Sequence, residues 1–114
     1  MAFNETLAER IRIYFIDHHL FNTEEKRMMG GLTFMLNGKM CVGVFKDNLM
    51  CRINPAEHLL AVEENGCKAM EFNNKVMQGY VLIEAEALYK TDAFAYWMQK
   101  SIAFNPQAKA SKKK

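Results

Sequence analysis

Asn37-Gly38 constrains this chain more than any other feature of it. Both residues tolerate positive φ, which a type I′ turn requires at its two central positions. The pair separates two apolar runs, Leu32-Thr33-Phe34-Met35-Leu36 and Lys39 to Lys46. The spacing predicts a tight hairpin. Asp47-Asn48 predicts a second turn, and Leu49-Met50-Cys51-Arg52-Ile53 the next strand. Ala69 to Phe72 and Gly79 to Glu84 read as two further strands linked through Asn73-Asn74-Lys75. Turns this short join antiparallel neighbours, so the sheet is an antiparallel meander.

Three helices flank these strands. Asn4 is a good N-cap with Glu5 at the positive end of the helix dipole, and Leu7, Ile11, Tyr14 and Phe15 recur at helical spacing. That pattern ends near Asp17-His18-His19, and Leu20 to Glu24 read as a loop. Asn54-Pro55-Ala56-Glu57 starts a second helix, with Pro at the first position, where its missing N–H is harmless. Leu59, Leu60 and Val62 give that helix an apolar side, and Asn65-Gly66 ends it. A third helix begins near Thr91-Asp92. Phe94, Trp97, Met98, Ser101 and Ile102 form its core stripe, and Pro106 closes it. The fold class is α+β, an antiparallel sheet with helices at the N-terminus, middle and C-terminus. Residues 1–106 form a single domain, and 107–114 a disordered basic tail.

Two-residue turns at both sites would place Leu32, Phe34, Leu36, Lys39, Cys41, Gly43, Phe45, Met50 and Arg52 on one sheet face. Thr33, Met35, Met40, Val42, Val44, Leu49, Cys51 and Ile53 would take the other. Both faces are apolar, whereas a meander with one wet face alternates more cleanly. Two coverings are open: the terminal helices bury the first face, or a partner does. Phe34, Phe45, Met50 and Arg52 are the candidate interface on that face, since an arginine beside aromatics is a common interface composition. The same register puts Cys41 and Cys51 on opposite faces, which excludes a disulfide between them.

The chain has 15 Lys and Arg against 13 Asp and Glu. Four of those lysines fall at Lys109, Lys112, Lys113 and Lys114. Without them 11 bases face 13 acids, so the folded part is mildly acidic. That argues against nucleic-acid binding through the folded part, which needs a basic face. Half of the residues are hydrophobic, which excludes a wholly disordered chain. No apolar run approaches the roughly 20 residues of a membrane span. The start, Met-Ala-Phe-Asn-Glu, lacks the basic and apolar regions of a signal peptide, so a cytoplasmic location is expected. Three cysteines without a CxxC spacing fit free thiols, and nothing has zinc-ligand spacing.

Lys26-Arg27-Met28-Met29-Gly30-Gly31 leads into the first strand. Lys26, Arg27, Gly30 and Gly31 are a candidate anion site, two cations beside a turn whose amides form a nest. A strand lead-in with a close backbone approach explains the same glycines. His18 and His19 are adjacent and so diverge. His58 with Cys67 would make a Cys–His nucleophilic pair, which nothing in their local sequence supports. No paired carboxylates or other catalytic constellation is visible, and no cofactor is expected. Nine methionines fill core gaps or make an adaptable contact surface.

Several blocks together resemble the TfoX N-terminal domain family. They are Asn4-Glu5-x-Leu7-Ala8-Glu9-Arg10-Ile11-Arg12, then Lys26 through Gly31 running into Leu32-x-Phe34-Met35-x-Asn37-Gly38-Lys39-Met40. Gly43-Val44, Asp47-x-Leu49-Met50-x-Arg52, Met70-Glu71-Phe72, Met77-x-Gly79-Tyr80-Val81, Trp97 and Ala103-Phe104 continue the match. The resemblance covers about residues 2–104 and implies a compact α+β domain without established catalytic residues or cofactor. TfoX is a two-domain bacterial regulator of genetic competence, and the resemblance is to its first domain. Together with the absent catalytic group and the two apolar sheet faces, it points to a non-enzymatic protein-interaction module in bacterial transcription regulation, expected to be a homodimer. The alternative is a small-ligand or phosphate-binding protein, conceivably an enzyme, using Arg27, Arg52 and the Gly30-Gly31 turn.

Overall fold

The computed structural model describes residues 3–28 and 30–109. Helix α1 spans Glu5–Asp17. As its sequence predicts, Asn4 caps it: the side-chain oxygen accepts the Leu7 N–H at 3.0 Å, satisfying a donor that a helix start leaves free. The strands are β1 Thr23–Met28, β2 Gly31–Leu36, β3 Lys39–Phe45, β4 Asn48–Arg52, β5 Cys67–Phe72 and β6 Lys75–Glu84. They form one antiparallel sheet in the order β1-β2-β3-β4-β6-β5. A 3-10 turn at Pro55–Glu57 and helix α2, His58–Ala61, lie between β4 and β5. Helix α3, Thr91–Phe104, follows β6 after a short 3-10 turn. The α+β class and the placement of the three helices are those expected.

Strand β1 is an addition. Thr-Glu-Glu-Lys-Arg-Met has no apolar alternation, so its start reads as loop, yet it pairs residue for residue with β2 from Thr23–Leu36 to Met28–Gly31. Asn37 and Gly38 have φ of 55° and 80°, the positive values of the expected turn. The second turn sits one residue earlier than expected. Lys46, at φ 56°, and Asp47 are its central residues, and Phe45 pairs with Asn48. The N-terminal segment fixes it there, because the Asn4 N–H donates to the Lys46 carbonyl at 2.7 Å.

A β-bulge decides which side chains share a face. Met35 pairs with Met40, but Phe34 pairs with Val42, leaving Cys41 as the extra residue. Cys41 and Val42 therefore both reach the helix-covered core, with Leu32, Phe34, Leu36, Val44, Leu49, Cys51 and Ile53. Two expectations fail here. Phe34 is not on the face of Phe45, Met50 and Arg52, and Cys41 is not across the sheet from Cys51. Both cysteines are free thiols.

The helices α1 and α3 cover this one face. The Phe15 ring meets Phe34 at 6.1 Å, and Phe94, Trp97, Met98 and Ser101 form the buried stripe of α3. Asn105 ties the end of α3 to the first hairpin by donating to the Leu36 carbonyl at 3.0 Å and accepting from Asn37 at 3.2 Å. Lys39 caps the same end, donating to the carbonyls of Asn105 and Pro106. The fold continues past the expected boundary at Pro106: Ala108 is buried, and its N–H donates to the Asn105 carbonyl. Of the expected tail, residues 110–114 lie outside the described residues.

In α2 the apolar side differs from the expected one. Leu59 and Leu60 are exposed, while His58 and Ala61 are buried. His58 Nδ1 accepts the Gly79 N–H at 3.0 Å, and the Gly79 carbonyl accepts the Ile53 N–H at 2.7 Å. That bond turns His58 inward and rolls the two leucines out.

On the sheet face away from α1 and α3, large side chains lie flat across glycines. A Cβ at Gly43 would stand 2.7 Å from the Leu32 carbonyl and 3.2 Å from the Met50 methyl. One at Gly31 would collide with the Val44 carbonyl and the Phe45 ring. Gly43→Ala is expected to destabilise the protein by about 1–3 kcal/mol through this overpacking. A denaturant midpoint equal to the wild type would contradict that close approach.

Candidate functional site

The sheet face without a long helix gathers Thr33 and Met35 from β2, Met40, Gly43 and Phe45 from β3, and Met50 and Arg52 from β4. Tyr80 and Leu82 come from β6. Its middle is closed, with Met50 fully buried and Thr33 and Met35 nearly so. Its half-exposed rim is Met40, Phe45, Arg52, Tyr80 and Leu82. The Arg52 guanidinium lies 5.6 Å from the Tyr80 ring centre and reaches the Met40 carbonyl at 3.4 Å. That cation–π contact holds a permanent charge flat against an aromatic, a composition suited to protein contacts.

Of the four residues singled out as an interface, the structure keeps Phe45 and Arg52 at this rim. Met50 shares the face but is buried beneath it. Phe34 is 1% exposed in the opposite layer, against Phe15 and beneath Arg12. Tyr80 and Leu82 are additions. They reach Arg52 because β6, not β5, lies beside β4, a crossover that no local spacing announces.

The candidate anion site does not assemble. Lys26 pairs with Thr33 and Arg27 with Leu32, so alternation sends them to opposite faces. The Arg27 guanidinium lies 5.3 Å from the Phe3 ring centre on the helix side. Gly30, at φ 79°, is an exposed turn residue, while Gly31 is buried to admit the Phe45 ring. Met29 lies outside the described residues. Arg52 sits three strands from Arg27, on the other face, so the ligand site suggested by Arg27, Arg52 and the Gly30-Gly31 turn is not formed.

The remaining reactive groups are quiet. Burial pushes the Cys41 thiol up to about 12 and that of Cys67 to about 11, and it raises Cys51 as well. All three stay protonated at neutral pH and are poor nucleophiles. His58 spends Nδ1 on the Gly79 N–H rather than on Cys67. Among the described residues no three His, Cys, Asp or Glu side chains cluster as metal ligands. A groove of about 310 Å³ between α1 and α3 is lined by Tyr14, His18, Leu20, Gln99, Ile102 and Ala103. Among the described residues the buried Tyr14 hydroxyl has no hydrogen-bond partner.

A two-pronged surface ion pair joins α1 to β1. Arg12 donates to both oxygens of Glu25 at 2.7 and 3.0 Å, and to Glu9 at 3.0 Å. These hydrogen bonds hold the Glu25 carboxyl below its usual range and raise the guanidinium. No helix among the described residues is long and apolar enough to cross a membrane.

The family model of the TfoX N-terminal domain matches residues 18–105, from the end of α1 through α3. That family is not a known enzyme family. No curated protein and no solved structure matches the chain.

The Arg12–Glu25 pair sets a pH dependence. The Glu25 pKa is depressed in the folded state, so its stabilisation is present above the ordinary carboxylate range and is lost as pH falls through the depressed value. Wild type is expected to be more stable than Arg12→Gln at neutral pH, and the two to converge in acid. A stability gap unchanged from pH 7 to acid in parallel denaturant titrations would contradict the pairing.

Proposed function

The chain belongs to the TfoX N-terminal domain family, and from that membership we propose a non-enzymatic protein-interaction module acting in bacterial transcription regulation. The observation that carries this reading is the rim of Phe45, Arg52 and Tyr80 on the sheet face away from α1 and α3. Aromatic and arginine side chains held flat on a rigid sheet lose little freedom on binding, and they are enriched where contacts carry most of the binding energy. The closed middle of the face supplies a firm floor, and the five rim side chains supply the contacts. Any cytoplasmic setting belongs to this same reading.

A photocrosslinking residue placed at Phe45 is expected to capture one protein of the transcription machinery or its regulators in bacterial cells. The same residue at Tyr89, exposed on the helix side, is expected not to capture it. Arg52→Glu should abolish the capture at Phe45 and leave the thermal midpoint within a few degrees. Equal capture from both positions, or capture from Phe45 that survives Arg52→Glu, would refute the assigned face.

A further inference from the structure

We propose that the open edge of β1 joins the same edge of a second copy, giving a two-fold dimer whose sheet runs on through both molecules. This goes beyond the module reading, because it uses a different surface and a different partner. It also gives the dimer expected from the sequence a definite place and register.

The backbone comes first. β1 is an edge strand, and five of its six residues are exposed. The Asn22 carbonyl accepts the Asn37 N–H at 2.9 Å, so even-numbered residues turn their backbone groups toward β2. Thr23, Glu25 and Arg27 then present N–H and C=O groups to the open side. The pairing with β2 is regular over all six residues, so this edge is straight. The opposite edge, β5, is broken by a register shift between Ala69 and Glu71, which blunts it as a template.

Charge selects the occupant. Charged side chains on an edge usually deter pairing, above all when one sign dominates. Here the order is Glu24-Glu25-Lys26-Arg27, acidic in one half and basic in the other. An antiparallel copy of the same strand sets the acidic half against the basic half. A two-fold axis that continues a sheet runs along the sheet normal, so it pairs residues of the same face. Centring it on Glu25 places Glu24 opposite Lys26 of the second copy, twice, and Thr23 opposite Arg27. The two Glu25 carboxylates meet at the axis, but each is already neutralised by its own Arg12. Centring on Lys26 instead would set two ammonium groups face to face.

Apolar surface lies along the same edge. Ile16 is 60% exposed and Phe21 68%, beside a groove of about 250 Å³ that also touches Arg12, Thr23 and Glu25. The two-fold keeps both α1 helices on one side of the joined sheet, so these side chains flank the junction.

Sedimentation of the purified chain tests this directly. The wild type is expected to be a dimer. Glu24→Lys and Lys26→Glu each set like charges opposite one another and should each weaken self-association by about tenfold or more. An equimolar mixture of the two variants restores opposite charges at both positions, as does the double exchange. Both are expected to recover the dimer, which a folding defect would not allow. Arg52→Glu should leave the dimer intact, so failure here is distinct from failure of the rim reading. A monomeric wild type, a dimer indifferent to both single exchanges, or weakening that the mixture does not rescue would each overturn the proposal.

Discussion

One extra residue in β3 organises this molecule. Cys41 has no partner in β2, and from that point the side-chain alternation of the two strands is shifted against each other. Phe34 turns under α1, Val42 joins it, and Gly43 is left facing the other way. The helices thus receive a continuous apolar layer, and burial of Phe34 alone contributes roughly 2–3 kcal/mol. Without the bulge Phe34 and Phe45 would share a face, and neither layer would pack as it does.

The face left over has its own construction. Glycines at 31 and 43 let Phe45 and Met50 lie down across the sheet, and Arg52 lies down on Tyr80. Methionine suits this work, since its unbranched chain fills irregular gaps between flat neighbours. The result is a firm surface with the Arg52 charge at its rim. The helix layer carries different chemistry at the β1 edge, where Arg12 binds α1 to a strand that has little apolar content of its own. An aromatic rim and an open strand edge with one acidic and one basic half therefore sit on different parts of one small domain.

Local chemistry made much of this readable from the residues. Asn4 and Asn54 start helical turns as N-caps, Asn37-Gly38 turns the hairpin, and the stripe from Phe94 to Ser101 is the buried side of α3. The misses share a cause, which is that non-local contacts decide them. β1 is charged at four of its six positions and exists because β2 has a free edge. The Lys46-Asp47 turn is held by Asn4, more than forty residues away. The bulge leaves no mark in the pattern, since Cys41 reads equally well on either face. Tyr80 reaches Arg52 only through the β4–β6 crossover. At the candidate anion site, proximity in sequence suggested convergence, and strand alternation separated Lys26 from Arg27.

The central claim is the division of the two phenylalanines by the bulge, and proton–proton contacts in solution test it most directly. A NOESY spectrum of the chain with labelled aromatic rings is predicted to show the Phe34 ring against Phe15, and the Phe45 ring against the Gly31 α-protons. Contacts between the Phe34 ring and the Met50 methyl or the Phe45 ring would place them on one face and contradict the account.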